Sequence, residues 1–193
     1  MPAPPTRPAL RARYERRRQE VLRVAAREFA QRGYHATSMD ELSAATGLAA
    51  GGLYHYIGSK EQLLFAILAQ LMDPLLARAR EIEGGDAPGR LRELLRVWLE
   101  HIEAHHDHML VFTQERRVLE RDERWKQVRE SRHAFEDILS HLVAAAAPEG
   151  DTRLRVLALL GMVNHTASWY RPGGRLTSLD IADGYWEILF GAR

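Results

Sequence analysis

Apolar side chains recur along this chain with helical rather than strand spacing. Leu22, Ala25, Ala26, Phe29 and Ala30 fall at i, i+3, i+4, i+7 and i+8, the pattern of one buried helix face. Arg16, Arg17, Arg23 and Arg27 occupy its other faces, and Gly33 suits a left-handed cap that ends the helix. A second helix opens at Thr37 or Ser38, where Ser38 with Glu41 three residues on has the form of a capping box, and it closes near Thr46-Gly47. A third runs from about 49 to 56 and breaks at Gly58-Ser59. Ser59 with Gln62 repeats the capping pattern and opens a long helix, 59–83, with Leu63, Leu64, Ile67, Leu68 and Leu71 on one side. Pro74 is expected to kink or divide it, because proline removes an N–H and clashes with the preceding turn. After a Gly- and Pro-containing loop at 84–89, helices are expected at about 88–106, 107–120, 122–147, 151–171 and 178–191. No alternating strand pattern exceeds a few residues. The fold class is therefore all-α, about nine helices, with a three-helix unit at the front and a larger helical body behind it.

Composition adds exclusions. With 193 residues, 46% of them hydrophobic, the chain can bury a sizeable core. It has no cysteine, which rules out a disulfide framework and thiolate metal sites. The Pro-rich, then Arg-rich start lacks a signal peptide's apolar run, and no stretch approaches the roughly 18 consecutive apolar residues of a membrane span. A soluble, cytoplasmic protein with no membrane partner is expected. The net charge of +1 is unevenly placed. Residues 1–60 hold ten Lys and Arg against five Asp and Glu, and residues 61–193 hold seventeen against twenty-one. A basic front suits a polyanion, although a solvated arginine face explains it equally. Residues 1–12 read as a disordered basic arm.

The stretch from Thr37 to Leu64 carries the most chemistry. Two short helices joined by a tight turn form a helix-turn-helix, whose second helix enters the DNA major groove. Ala49, Ala50, Gly51 and Gly52 would let a backbone approach the groove, and two glycines within a helix cost roughly 1 kcal/mol each relative to alanine. Tyr54, His55 and Tyr56 offer donors to phosphates or base edges. Lys60 sits in the first turn of the next helix against the helix dipole, a conflict that a phosphate would remove. An ordinary bundle with a Gly-rich turn also fits the periodicity.

Residues 14–64 resemble the N-terminal domain of the TetR family of one-component regulators. The resemblance rests on Phe29-Ala30-Gln31-Arg32-Gly33-Tyr34-His35-Ala36-Thr37-Ser38, on Leu42-Ser43-Ala44-Ala45-Thr46-Gly47-Leu48, and on Leu53-Tyr54-His55-Tyr56-Ile57-Gly58-Ser59-Lys60-Glu61-Gln62-Leu63-Leu64. Ser43, Thr46 and Ile57 depart from the usual alanine, alanine and phenylalanine. The resemblance implies a helix-turn-helix domain at 13–58 that binds a double-stranded operator, and a ligand-binding and dimerisation domain at 59–193. It implies that Thr37 and Ser38 cap a helix and contact phosphates. By the same resemblance Ala49 to Gly52 and Tyr54 to Tyr56 face the groove, and Lys60 holds a phosphate. Arg13, Arg16 and Arg17 suit phosphate or minor-groove contacts, or plain solvation.

The C-terminal body carries more apolar surface than one helix face needs, from Val156 to Val163 and from Ile181 to Phe190, which suits a homodimer. Trp169-Tyr170-Arg171-Pro172-Gly173-Gly174 resembles a motif of the TetR subgroup that answers to acyl-CoA thioesters and controls fatty-acid, phenylacetate or sterol-ring degradation. On that resemblance the effector is a CoA thioester and no cofactor is expected. Trp98, Ile102, Val111, Phe112 and Met162 would line an acyl slot, with Asn164 toward a thioester carbonyl. Trp169 belongs to the motif, and Arg116, Arg117, Arg121, Arg171 and Arg175 would meet phosphates, to which guanidinium forks are suited. Each also has a plain structural reading: Arg171 complements a helix dipole, and Pro-Gly-Gly ends a helix. His101 and His105 have the i, i+4 spacing of helical metal ligands, with His106, Asp107 and His108 adjacent, but no motif accompanies them. An all-α enzyme or metal protein is the competing class, although no catalytic motif stands out.

Overall fold

The computed structural model describes residues 6–121, 123–171 and 173–191, and for 116–121 and 124 the backbone alone. Among them are nine α-helices and no strand: α1 (Pro8–Arg32), α2 (Met39–Thr46), α3 (Ala50–Ile57), α4 (Lys60–Arg80), α5 (Ala87–Ala104), α6 (His106–Arg121), α7 (Lys126–Ala146), α8 (Thr152–Trp169) and α9 (Ser178–Phe190), with a 3₁₀ turn at Glu123–Trp125 before α7.

Two expectations need correction. Of the arm expected to be disordered at 1–12, residues 1–5 lie outside the described residues and the rest is helical from residue 8, because Pro8 stands in the first turn, where its missing N–H costs nothing, and Ala9, Leu10 and Arg11 are strong helix formers. Of the two outcomes expected at Pro74, a kink or a division, division does not occur, because buried Leu71, Met72, Leu75 and Leu76 anchor the turns on both sides of it.

The reading head is fixed by local chemistry. The Ser38 hydroxyl accepts from the Glu41 N–H at 3.2 Å, and the Glu41 carboxylate accepts from the Ser38 N–H at 2.7 Å, so two orphan donors at the start of α2 are satisfied reciprocally. Gly47, at φ 66 and ψ 22, makes the left-handed turn into α3 that a side chain would strain. Thr46 is buried in place of a usual alanine, and its hydroxyl donates to the Leu42 carbonyl at 2.7 Å. Phe29, Leu42, Leu53 and Ile57 close the small core of the head.

α4 joins head to body. Its length and its mean hydropathy of 1.3 over the best window would allow a membrane crossing, yet ten of its 21 residues are buried inside the protein. It packs on α1 and α3 at its start and on α5, α6 and α7 further along. His101 of α5 bonds the Leu71 carbonyl through Nε2 at 2.7 Å, and Ser131 of α7 donates to Asp73 at 2.8 Å. On the outside, Leu154 and Leu157 of α8 and Leu179 and Ile188 of α9 stand 45–68% exposed.

Burial holds His101 down to about 4, helped by the charge of His105, and holds His108 down to about 4 for the same reasons. Unfolded histidines titrate near about 6.5, so between these values the unfolded chain binds more protons. Stability is therefore full above about pH 6.5 and falls steadily as the pH drops toward about 4. Urea unfolding at stepped pH should show this slope, and His108→Gln should flatten it.

Candidate DNA-reading face and effector cavity

The start of α3 is open. Ala49, Ala50 and Gly51 are exposed and Gly52 is half-buried. A Cβ on Gly51 would meet nothing within 4 Å, and one on Gly52 only Leu48 Cδ2 at 4.0 Å, so internal packing does not demand either glycine. Tyr54 is 45% exposed, and His55 is exposed with its ring edge-on to Tyr14. Tyr56 is half-buried and stacks on Tyr14 at 5.1 Å. Beside it, Arg13, Arg16 and Arg17 border an open concavity of about 320 Å³. Arg17 also donates to the Thr46 carbonyl at 3.0 Å, which ties α1 to the end of α2.

Two residues of this face sit otherwise than expected. Thr37 is 1% exposed and its hydroxyl donates to the Gly33 carbonyl at 2.9 Å, so its side chain is turned inward and cannot contact a phosphate. Ser38 alone provides the cap. Lys60 Nζ lies 4.5 Å over the Tyr34 ring and 3.5 Å from the His35 carbonyl, so part of its conflict with the helix dipole is offset within the chain.

The second candidate site is a cavity where five helices meet. Leu71, Met72 and Leu75 of α4, Trp98, His101 and Ile102 of α5, and Met109 and Phe112 of α6 line it, with Arg132, Phe135 and Glu136 of α7 and Leu160 and Asn164 of α8. Trp98 meets Phe135 edge-on at 4.8 Å. The cavity measures about 40 Å³, room for only two or three waters at about 15 Å³ each. Trp98, Ile102, Phe112 and Asn164 are thus brought together. Met162 and Val111 are not among the lining residues: Val111 is fully buried elsewhere, and the Met162 carbonyl accepts from Thr166 and Tyr185. Trp169 is 42% exposed at the end of α8, and Arg171 and Arg175 are exposed in the following loop. The side chains of Arg116, Arg117 and Arg121 lie outside the described residues. His101, Arg132 and Glu136 were not anticipated as lining residues. Arg132 and Glu136 carry the i, i+4 spacing of an ordinary surface pair, and only the apolar Phe135 between them hints at an inward face.

Residues 21–67 match the bacterial regulatory proteins of the tetR family, and residues 84–192, more than half of the chain, match the tetracyclin repressor-like C-terminal domain. The chain belongs to the TetR family. It is a TetR-type DNA-binding transcriptional regulator. The HTH-type transcriptional repressor KstR2 of Rhodococcus jostii is 32% identical over 181 residues, spanning 90% of this chain and 89% of that protein. The ketosteroid transcriptional regulator KstR2 of Mycobacterium tuberculosis superposes with a TM-score of 0.85 at 28% identity, over 91% of this chain and 93% of that one. AibR, solved with isovaleryl coenzyme A and operator DNA, superposes with a TM-score of 0.78 at 32% identity, over 92% and 100%.

Within the Trp-Tyr-Arg-Pro-Gly-Gly stretch of this TetR chain, Tyr170 has a local structural role. Tyr170 is 4% exposed and its hydroxyl donates to the Glu103 carboxylate of α5, which pushes the phenol up to about 12. Hydrogen bonds from Ser178 and Tyr170 in turn hold Glu103 below the usual carboxylate range. Glu103 of α5 thus fastens both the end of α8, through Tyr170, and the start of α9, through Ser178. The histidines are also spoken for. His105 stacks on His101 at 4.2 Å and His106 bonds the Ala167 carbonyl at 2.8 Å. Among the described residues no three His, Cys, Asp or Glu side chains converge as a metal site.

Lys60→Ala and Tyr54→Ala should each weaken operator binding by about tenfold, the worth of a charge-assisted phosphate contact or a base-edge contact. Lys60→Ala should also lower the salt slope by about one. Fluorescence anisotropy with a labelled operator between low and moderate salt measures both; unchanged affinity in both variants would remove these residues from the interface.

Proposed function

We propose that this regulator is a homodimeric repressor, released from its operator when a CoA thioester fills the five-helix cavity, and that it controls lipid or aromatic-acid degradation genes. The observation that carries the reading is the size of the cavity against its position. Sites for small molecules run to roughly 300–1,000 Å³. A cavity of about 40 Å³ walled by Leu71, Met72 and Leu75 must open to admit an acyl group, and opening displaces α4. A ligand that fits only the opened form binds that form preferentially and draws the population toward it. Because α4 begins at the edge of the reading head, its displacement re-aims α3.

Dimerisation suits the exposed leucines of α8 and the exposed Leu179 and Ile188 of α9, which a second copy would cover. Two heads in a dimer must meet major grooves about 34 Å apart, so a small change in α4 spoils both contacts together. The CoA assignment is supported by AibR, whose complex holds isovaleryl coenzyme A, and the lipid assignment by KstR2, a ketosteroid regulator. In this reading the acyl group occupies the cavity beside Trp98 and Phe112. Trp169, Arg171 and Arg175, exposed past the end of α8, and Arg116, Arg117 and Arg121 on α6 serve the CoA portion.

The test is a titration of the operator-bound dimer with isovaleryl-CoA and longer CoA thioesters, with free CoA as control. Release by a thioester and none by free CoA is the expected result. Retention of the operator against every thioester would reject the effector.

A further inference from the structure

The five-helix cavity is not uniformly apolar, and its polar groups form a pattern. Asn164 is half-buried on α8 and, among the described residues, its side-chain amide makes no hydrogen bond. Half-buried, the amide still reaches water, and a ligand that closes the site over it removes that water at a cost unless the ligand matches its donors and its acceptor. On α7, Arg132 and Glu136 lie one turn apart on either side of buried Phe135, with Nε and Oε1 3.6 Å apart and the side chains 15% and 30% exposed. Their charges offset each other within the wall. His101, the remaining polar lining residue, already bonds the Leu71 carbonyl and is uncharged at neutral pH. The lining therefore offers donors and acceptors but no net charge.

We propose that the part of the effector held in this cavity is uncharged and carries a hydrogen-bonding oxygen beyond the thioester, a hydroxyl or a ketone, read by Asn164 and by Arg132 in its pairing with Glu136. This rests on the reading of the cavity as the site of a CoA thioester. A saturated acyl chain leaves the Asn164 amide unmatched when the site closes over it, and a site built to hydrogen-bond an oxygen discriminates against the analogue that lacks it. A terminal carboxylate fares worse. It must shed its water, and it finds the Arg132 guanidinium already faced by Glu136, whose like charge repels it. A hydroxyl satisfies the amide as both donor and acceptor, and a ketone accepts from the amide or the guanidinium.

Three six-carbon thioesters separate these cases: hexanoyl-CoA, 6-hydroxyhexanoyl-CoA and adipoyl-CoA, each titrated into the operator-bound dimer. The hydroxyacyl form should release the operator at about tenfold lower concentration than hexanoyl-CoA, with adipoyl-CoA the weakest, as one additional buried hydrogen bond requires. Asn164→Leu should bring the ratio of the first two to about one, and Glu136→Gln should improve adipoyl-CoA relative to the others. Thermal melts of both variants confirm folding, and the wild-type series with Glu136→Gln decides the matter if Asn164→Leu does not fold. A wild-type ratio near one, or a ratio that Asn164→Leu leaves unchanged, overturns the proposal while leaving the thioester effector standing. Failure of all three while isovaleryl-CoA or a longer thioester releases the operator overturns this proposal alone, and failure of every thioester rejects the effector as well.

Discussion

One helix belongs to two cores at once, and the rest of the structure answers to that. Leu63, Leu64 and Ile67 of α4 are fully buried beside the reading head, while Leu71, Met72 and Leu75, one and two turns further on, wall the cavity. Interiors pack at the density of organic crystals and deform by switching between arrangements rather than by bending smoothly. A helix clamped in both cores transmits displacement along its axis because no soft segment lies between them. α4 runs unbroken through Pro74, which lies at the cavity end of the helix. The His101 bond to the Leu71 carbonyl and the Ser131 bond to Asp73 fix the cavity end to α5 and α7.

The head is tied to the body by a second route. Gln114 of α6 donates to the Ala30 carbonyl near the end of α1 at 3.1 Å, and buried Glu115 lies 3.7 Å from the exposed His35. Gln70 of α4 bonds both Gln19 of α1 and His108 of α6, so three helices meet at one amide. Met109 and Phe112 place α6 on the cavity as well. A ligand that opens the cavity therefore strains α4 and α6 together, and both lead to α1. This gives the coupling between the two sites a contiguous physical route, which distance alone would not.

How much of this the sequence disclosed depended on whether a residue's neighbours are local. Helix spacing, the Ser38–Glu41 box and the Gly47 turn are written within a few residues, and they appear in the structure where the spacing put them. The helix from residue 8 is not legible in the basic arm because arginines look solvated whether or not their backbone is helical. Thr37 was misread because its partner, Gly33, lies four residues back on a turn, where no periodicity points inward. Trp98, Ile102, Phe112 and Asn164, expected beside an acyl group from their chemistry, do line the cavity. Arg132 and Glu136 were not legible, since an i, i+4 ion pair reads as surface until α8 is placed over it. Tyr170 lay inside a motif read for ligand binding, yet the bond to Glu103 that explains its burial spans 67 residues of sequence.

The account turns on whether filling the cavity changes the separation of the two reading heads. The chain has no cysteine, so a single Ala44→Cys on the exposed side of α2 gives one spin label per protomer. Pulsed electron–electron distance measurement on the labelled dimer should then show one narrow separation with operator bound. With a CoA thioester that releases the operator, a longer or broader distribution should replace it. A distribution that stays the same on release would contradict the account, because the effector would then be acting without moving the heads.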